Sequence, residues 1–279
     1  MCIICDEKYD VNMINLNCNG CSRITCIPYL PSLTHLICYN CPLLKYIPKL
    51  PSLTHLDCTN CLLFSLHELP LLAILDCSRC PNLNSIYDLP LLVDLRCWDC
   101  QSLTSICNLP LLNHLDCDRC RSLCSLPELP LLTYLNCVGY LLTSISGLPL
   151  LTDLICSETP LLTFIKNMPS LTHIDCNQCP LLTQISQVPL LTSLYCHNCP
   201  LLNQIPQLPL LNDLDCYNSP FLYLSYKMRL KFGRPSSKLI NKFKWLQLKT
   251  KNKFKRKLST IIHDNTIFYP VLIDIIVNF

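Results

Sequence analysis

Four glycines, at positions 20, 139, 147 and 233, are all that 279 residues contain. None of them builds the GxGxxG or Walker pattern that cradles phosphate, so nucleotide chemistry by those routes is excluded. Charge is scarce too, at 15% of the chain. The mean hydropathy of +0.32 points toward a membrane, yet a proline or a charge interrupts every apolar run before the roughly 20 residues a spanning helix needs. No transmembrane segment is expected. The start, MCIICDEKYD, has acidic residues where a secretory signal places a basic residue and then an apolar core. That pattern predicts a protein that is not secreted, with an intracellular, cytoplasmic location.

What the sequence has instead is 60 Leu, 24 Cys and 22 Pro. In a short secreted chain this cysteine density would mean a disulfide scaffold, but a long chain without a secretory start predicts reduced thiols. The cysteines recur. An LxC element places Cys18, Cys38, Cys58, Cys77, Cys97, Cys117, Cys137, Cys156, Cys176, Cys196 and Cys216 in one column, with eight of the ten intervals at 20 residues and two at 19. Self-similarity at such a period is the signature of a solenoid. Residues 1–11 then read as an N-terminal cap, 12–220 as an array of eleven coils, and 221–279 as a C-terminal tail or cap.

Within each coil Leu36, Cys38 and their equivalents alternate with polar residues, which predicts a short strand with one set inward and the other outward. One proline per junction (Pro31, Pro51, Pro70, Pro90, Pro110, Pro130, Pro149, Pro169, Pro189 and Pro209) denies the returning half a regular helix and favours extended or polyproline backbone there. The fold class expected is a β-dominated α/β-type repeat solenoid with a parallel sheet on the concave side, an extended convex side and a short helical C-terminal tail. Eleven stacked strands at ~4.8 Å would run roughly 48 Å along the axis. A right-handed β-helix of another type is the alternative.

The unit LPSLTHLDCTNCLLFSLHE, which starts at Leu50, resembles the leucine-rich repeat: Leu53, Leu56, Cys58 and Cys61 match its core, and the Leu63–Phe64 pair falls one residue off strict spacing. The short LPxLPxL form is similar to the 20-residue repeats of bacterial effectors. The cysteine-rich SxCPLLTxIP form resembles repeat proteins of giant amoeba-infecting viruses, which implies the cytoplasm of a host cell. The resemblance implies a non-enzymatic recognition module that needs no cofactor.

A second column follows three residues after the first: Cys21, Cys41, Cys61, Cys80, Cys100, Cys120, Cys179 and Cys199. Tyr140, Thr159 and Ser219 replace it in three coils, which a metal or redox site repeated in every coil would not tolerate. Buried Cys behaves as a small hydrophobe. In the family this column carries an Asn that bonds the neighbouring coil's backbone, and a thiol is a weaker donor able to do part of the same. At the start, Cys2 and Cys5 together with Cys18 and Cys21 make two CxxC pairs of zinc-ribbon form. Against that reading, Cys18 and Cys21 fit the repeat register and would point into the first coil.

The outward residues define the concave face. Along its columns nine aspartates stand against one cation, Arg96. Neighbours such as Asp57 and Asp76 would repel by ~1 kcal/mol even in water, so either solvent screens them or something cationic offsets them. The cluster Asp94, Arg96, Trp98, His114, Asp116, Asp118 and Tyr134 has the composition of an interface hot spot and is the expected partner-binding patch. HxD pairs at His55 and Asp57, His114 and Asp116, and His173 and Asp175 could hold a metal or a catalytic imidazole. Drift of THLDC explains them more simply. No nucleophile column accompanies them, and neither a reaction nor a small-molecule substrate is expected.

Beyond residue 220 the composition inverts. Residues 1–220 hold nine Lys and Arg against seventeen Asp and Glu, whereas 221–279 hold thirteen against two, so the net +3 conceals opposed halves. Pro235, Ser236 and Ser237 read as a helix entry, and Leu239, Phe243 and Leu246 follow at helical spacing among lysines. Such a basic amphipathic segment either caps the last coil or binds nucleic acid or an anionic membrane. Three roles follow for the whole: recognition of a protein partner with a basic surface on the acidic face, an adaptor that recruits ubiquitin-ligase or other machinery through the tail, or tail-mediated binding.

Overall fold

The computed structural model describes residues 2–139, 141–203, 208–216 and 219. Eleven three-residue strands lie in it, Asn15–Asn17, His35–Ile37, His55–Asp57, Ile74–Asp76, Asp94–Arg96, His114–Asp116, Tyr134–Asn136, Asp153–Ile155, His173–Asp175, Ser193–Tyr195 and Asp213–Asp215. They pair in parallel, in chain order, as one sheet. Register obeys the repeat. Leu36 stands against Leu56, and the two 19-residue steps bring His55 against Ile74 and Tyr134 against Asp153, so the missing residue is absorbed outside the strands. In every strand but Asp213–Asp215 the central Leu or Ile is buried and its neighbours are not.

Three residues are too few to hold a strand alone, so stability comes from what each coil buries against the next. Burying one such leucine contributes about 1.5–3 kcal/mol, and each coil has several. Leu53, Leu56, Cys58, Cys61 and Leu63 are all fully buried or nearly so. Threonine hydroxyls add a ladder, with Thr54 Oγ1 donating to Thr34 O at 3.0 Å and Thr172 and Thr192 repeating the bond to the coil before each. Two residues after each strand's cysteine the chain turns through positive φ, at Asn40, Asn60, Arg79, Asp99, Arg119, Glu158, Gln178 and Asn198. Only at Gly20 and Gly139 does this corner have the residue that adopts it without strain.

The returning half is more regular than uniformly extended backbone. Six further strands form two three-stranded parallel sheets: Ser65–Leu66, Ser85–Tyr87 and Ser105–Cys107, then Ser144–Ser146, Phe164–Lys166 and Gln184–Ser186. Their interruption has a chemical cause. Strands appear where the buried Ile or Leu precedes a residue with an amide, as in Ile86–Tyr87 and Ile165–Lys166, and are absent where proline follows, at Ile27–Pro28, Ile47–Pro48 and Leu126–Pro127. Proline has no N–H to give the ladder. Leu126 is only partly buried, whereas Ile27 and Ile47, which also precede proline, stay in the core.

The junction prolines leave a second mark. Seven of the ten are followed by a leucine, Leu71, Leu91, Leu111, Leu131, Leu150, Leu190 and Leu210, and each of these is exposed. Part of the high hydropathy is therefore surface. At the N-terminal end Cys2, Ile3, Ile4, Cys5, Tyr9 and Met13 pack against the core and cover the first coil. Among the described residues there is no helix, and hence none long and apolar enough to cross a membrane. The basic segment 221–279, with its expected helix and its nucleic-acid, membrane and adaptor readings, lies outside the described residues.

Candidate interaction surface

The first and third residue of each strand face outward, as the alternation requires, and their side chains meet their equivalents one coil away. His35 and His55 stack with centroids 4.3 Å apart, and His114 and Tyr134 do the same at 4.3 Å with rings 1° from parallel. Each histidine of the first pair is fixed by the preceding threonine, Thr34 and Thr54 lying 2.9 Å from the Nδ1 atoms. Burial and the neighbouring His35 hold His55 below the usual histidine range.

The expected patch resolves into two groups. On the strands, Asp94 stands in register with His114 and Tyr134, and Arg96 with Asp116. Arg96 donates to Asp94 Oδ2 at 3.0 Å, and His114 Nδ1 lies 3.1 Å from Asp94 Oδ1. These last two atoms are buried and neither makes a hydrogen bond, so their contact is one of proximity and charge. His114 thus pairs with Asp94 of the adjacent strand rather than with Asp116 of its own, which corrects the HxD reading at this site. At the turn edge, Arg79 lies over Trp98 at 4.3 Å and Asp118 is 3.9 Å from Arg119. Arg79 and Arg119 were missed because they occupy the positive-φ corner, one position beyond the columns read for charge.

The aspartates themselves have local work. Asp57, Asp76, Asp116 and Asp175 end their strands, and each Oδ1 accepts the amide two residues on, at 3.1–3.3 Å, closing the turn. Asp76 Oδ1 also accepts from the hydroxyls of Ser78 at 2.6 Å and Thr59 at 3.0 Å. Asp57 and Asp76 are adjacent in register, and the hydrogen bonds each accepts work against their repulsion. Burial holds Asp116 above the usual carboxylate range, against the pull of the Asp118 amide, His114 and Arg96. Asp118 is raised by burial as well, and by Asp116, Asp99 and Glu158, with Arg119 opposing.

The two cysteine columns behave differently. No cysteine is in a disulfide, and the column members are buried, Cys21 the least so. Second-column sulfurs reach back one coil: Cys61 donates to Cys38 O at 3.1 Å, Cys100 to Cys77 O at 3.1 Å, Cys120 to Cys97 O at 2.9 Å and Cys199 to Cys176 O at 3.0 Å. They also accept an amide from the preceding coil, as Cys61 does from Cys41. Where serine replaces cysteine the same pattern holds, with Ser219 Oγ donating to Cys196 O and accepting from the Cys199 amide at 3.1 Å.

Of the expected zinc-ribbon set, the structure brings together Cys2, Cys5 and Cys21, whose sulfurs all lie within 4.8 Å of one another. Cys18 does not join them, because its strand position turns it into the buried first column. Among the described residues this is the one convergence of three or more such ligands, so the HxD pairs gather no metal set.

No protein-family model and no curated protein matches the chain. Among solved structures it is similar to the functional domain of InlJ from Listeria monocytogenes, a domain that includes a cysteine ladder, with TM-score 0.53 and 22% identity over 75% of this chain and 54% of that one. It also matches YopM from Yersinia enterocolitica WA-314, with TM-score 0.43 and 24% identity over 74% of this chain and 56% of that one. The chain spans little more than half the length of either. The likeness to InlJ, together with the coil geometry above, gives this chain the leucine-rich-repeat fold.

Proposed function

We propose that the eleven-stranded face binds a protein partner with a basic surface, and that Asp94, Arg96, Trp98, His114, Asp116, Asp118 and Tyr134 form the contact patch. A solenoid offers extended surface rather than a pocket. The observation that carries the reading is the organisation of mid-array side chains before any partner arrives: the His114–Tyr134 stack and the Asp94 links hold aromatic and charged groups in place. Pre-ordered side chains lose little freedom on binding. Within the patch the roles divide. Asp116 closes its own turn, so Arg96, Trp98 and Tyr134 carry the contact while the aspartates attract the basic surface.

The test is affinity capture from the native host with three proteins: the unaltered chain, a Trp98→Ala/Tyr134→Ala variant, and a Tyr46→Ala control, which removes an exposed aromatic outside the strands. Binders retained by the control and lost from the double variant, with affinity that falls as salt rises, are expected. Identical captured sets from all three would overturn the proposal.

A further inference from the structure

Inside the array every second-column sulfur has fixed partners one coil back. Cys21 heads that column and has no coil behind it. Its Sγ lies instead 3.5 Å from Cys5 Sγ, and Cys2 completes a triangle with all three sulfurs within 4.8 Å of one another. Sulfurs on a tetrahedral zinc, with Zn–S bonds of about 2.3 Å, sit about 3.8 Å apart. A disulfide would need them at about 2.05 Å. We infer that Cys2, Cys5 and Cys21 form a three-thiolate site for one zinc ion at the N-terminal end of the array.

The surroundings suit an ion. Cys2 and Cys5 are held on a tight turn by Asp6 N–H to Cys2 O at 3.1 Å, Glu7 N–H to Ile4 O at 3.1 Å and Lys8 N–H to Ile3 O at 2.9 Å. Arg23 ties that turn to the first coil through Asp6 at 3.3 Å. The Arg23 and Ile24 amides are directed at the Cys21 sulfur. Three adjacent thiolates repel one another, and a cation between them removes that repulsion. Soft thiolates select zinc over calcium or magnesium, and three protein ligands leave the fourth position to an exogenous donor. The ion would staple the N-terminal turn to the first coil, supplying the bond that a preceding coil would otherwise give.

The experiment uses the full chain, reduced and supplied with one equivalent of zinc, read by native mass spectrometry and by iodoacetamide labelling. One zinc per chain is expected, with labelling of Cys2 and Cys5 slowed by roughly tenfold or more and labelling of the exposed Cys26, Cys107 and Cys124 unchanged. A Cys2→Ser/Cys5→Ser variant should lose the ion while Cys26→Ser/Cys124→Ser retains it. Absence of stoichiometric zinc, equal zinc in the double variant, a Cys5–Cys21 disulfide in reduced preparations, or unslowed labelling would each sink the assignment. The labelling arm needs no substitution, so it decides the matter even if the double variant does not fold.

Discussion

The two cysteine columns run side by side through the same core, three residues apart, and do different things with the same side chain. First-column thiols make the longer contacts, from 3.3 Å for Cys117 to Asn136 O to 3.6 Å for Cys77 to Arg96 O, with carbonyls that already accept the backbone amide of the same cysteine at 2.8–2.9 Å. They fill space. Second-column thiols make shorter bonds of 2.9–3.3 Å, to the first-column carbonyl that the turn leaves facing inward. The lesson is that the chain's own replacements track this difference. Every first-column position is Cys, whereas Tyr140, Thr159 and Ser219, all with a hydroxyl, stand in the second.

The largest expected break in this arrangement comes from alkali. Burial, and then the hydrogen bonds their protonated thiols give Cys80 and Cys100, hold Cys58 and Cys77 well above their ordinary value, and burial raises Cys137 and Cys196 too. Their folded values exceed the unfolded one, 9.0. The folded state therefore keeps protons that the unfolded chain releases, and the stability present below pH 9 is lost as pH rises beyond it. Each such thiol contributes about 1.4 kcal/mol per pH unit. Thermal melts between pH 8 and 11 should show a steep fall, shallower in Cys77→Ala; a flat profile would refute the assignment of these thiols to a dry core.

Next in size, Cys100→Ala should destabilise by about 1–3 kcal/mol, because Cys77 O is left buried without its donor. Cys100→Ser should recover most of that loss, as the Ser219 geometry implies. In the first column the order should invert: Cys97→Ser, which buries a hydroxyl facing a carbonyl already in use, should be less stable than Cys97→Ala by roughly 1 kcal/mol. Urea denaturation of the four variants checks both rankings, and equal rankings in the two columns would erase the distinction. The smallest effect concerns the corner between the columns. Glu158 adopts φ +57°, and Glu158→Gly should stabilise by about 0.5 kcal/mol, the strain removed less the entropy glycine adds. A lower melting temperature would count against strain at that corner.

Much of this architecture is legible in the period itself. Alternation at the LxC element places Leu56 inward and His55 and Asp57 outward, and nineteen of the cysteines take their positions from spacing alone. The returning strands were hidden because they depend on a single residue, the one after Ile or Leu, and on whether it carries an amide. The strand-ending aspartates read as repelling charges because spacing shows neighbours, not the amide two residues on that each carboxylate accepts. His114 paired with Asp94 lies across strands, where no within-strand motif reaches. The convergence of Cys2 and Cys5 on Cys21 comes from a segment outside the repeat, so no periodicity could place it.

Pro127 has one more consequence, mechanical rather than chemical. The coil that contains it lies between the strands His114–Asp116 and Tyr134–Asn136, and it separates the two smaller sheets on the returning side. There the ladder is continuous on one side only. Among the described residues the coils of Pro28 and Pro48 share this loss of the returning strand, and at the Pro127 coil the His114–Tyr134 stack lies on the opposite surface. With one ladder instead of two, this coil has fewer backbone bonds to its neighbours than the coils on either side, directly behind the proposed place of contact.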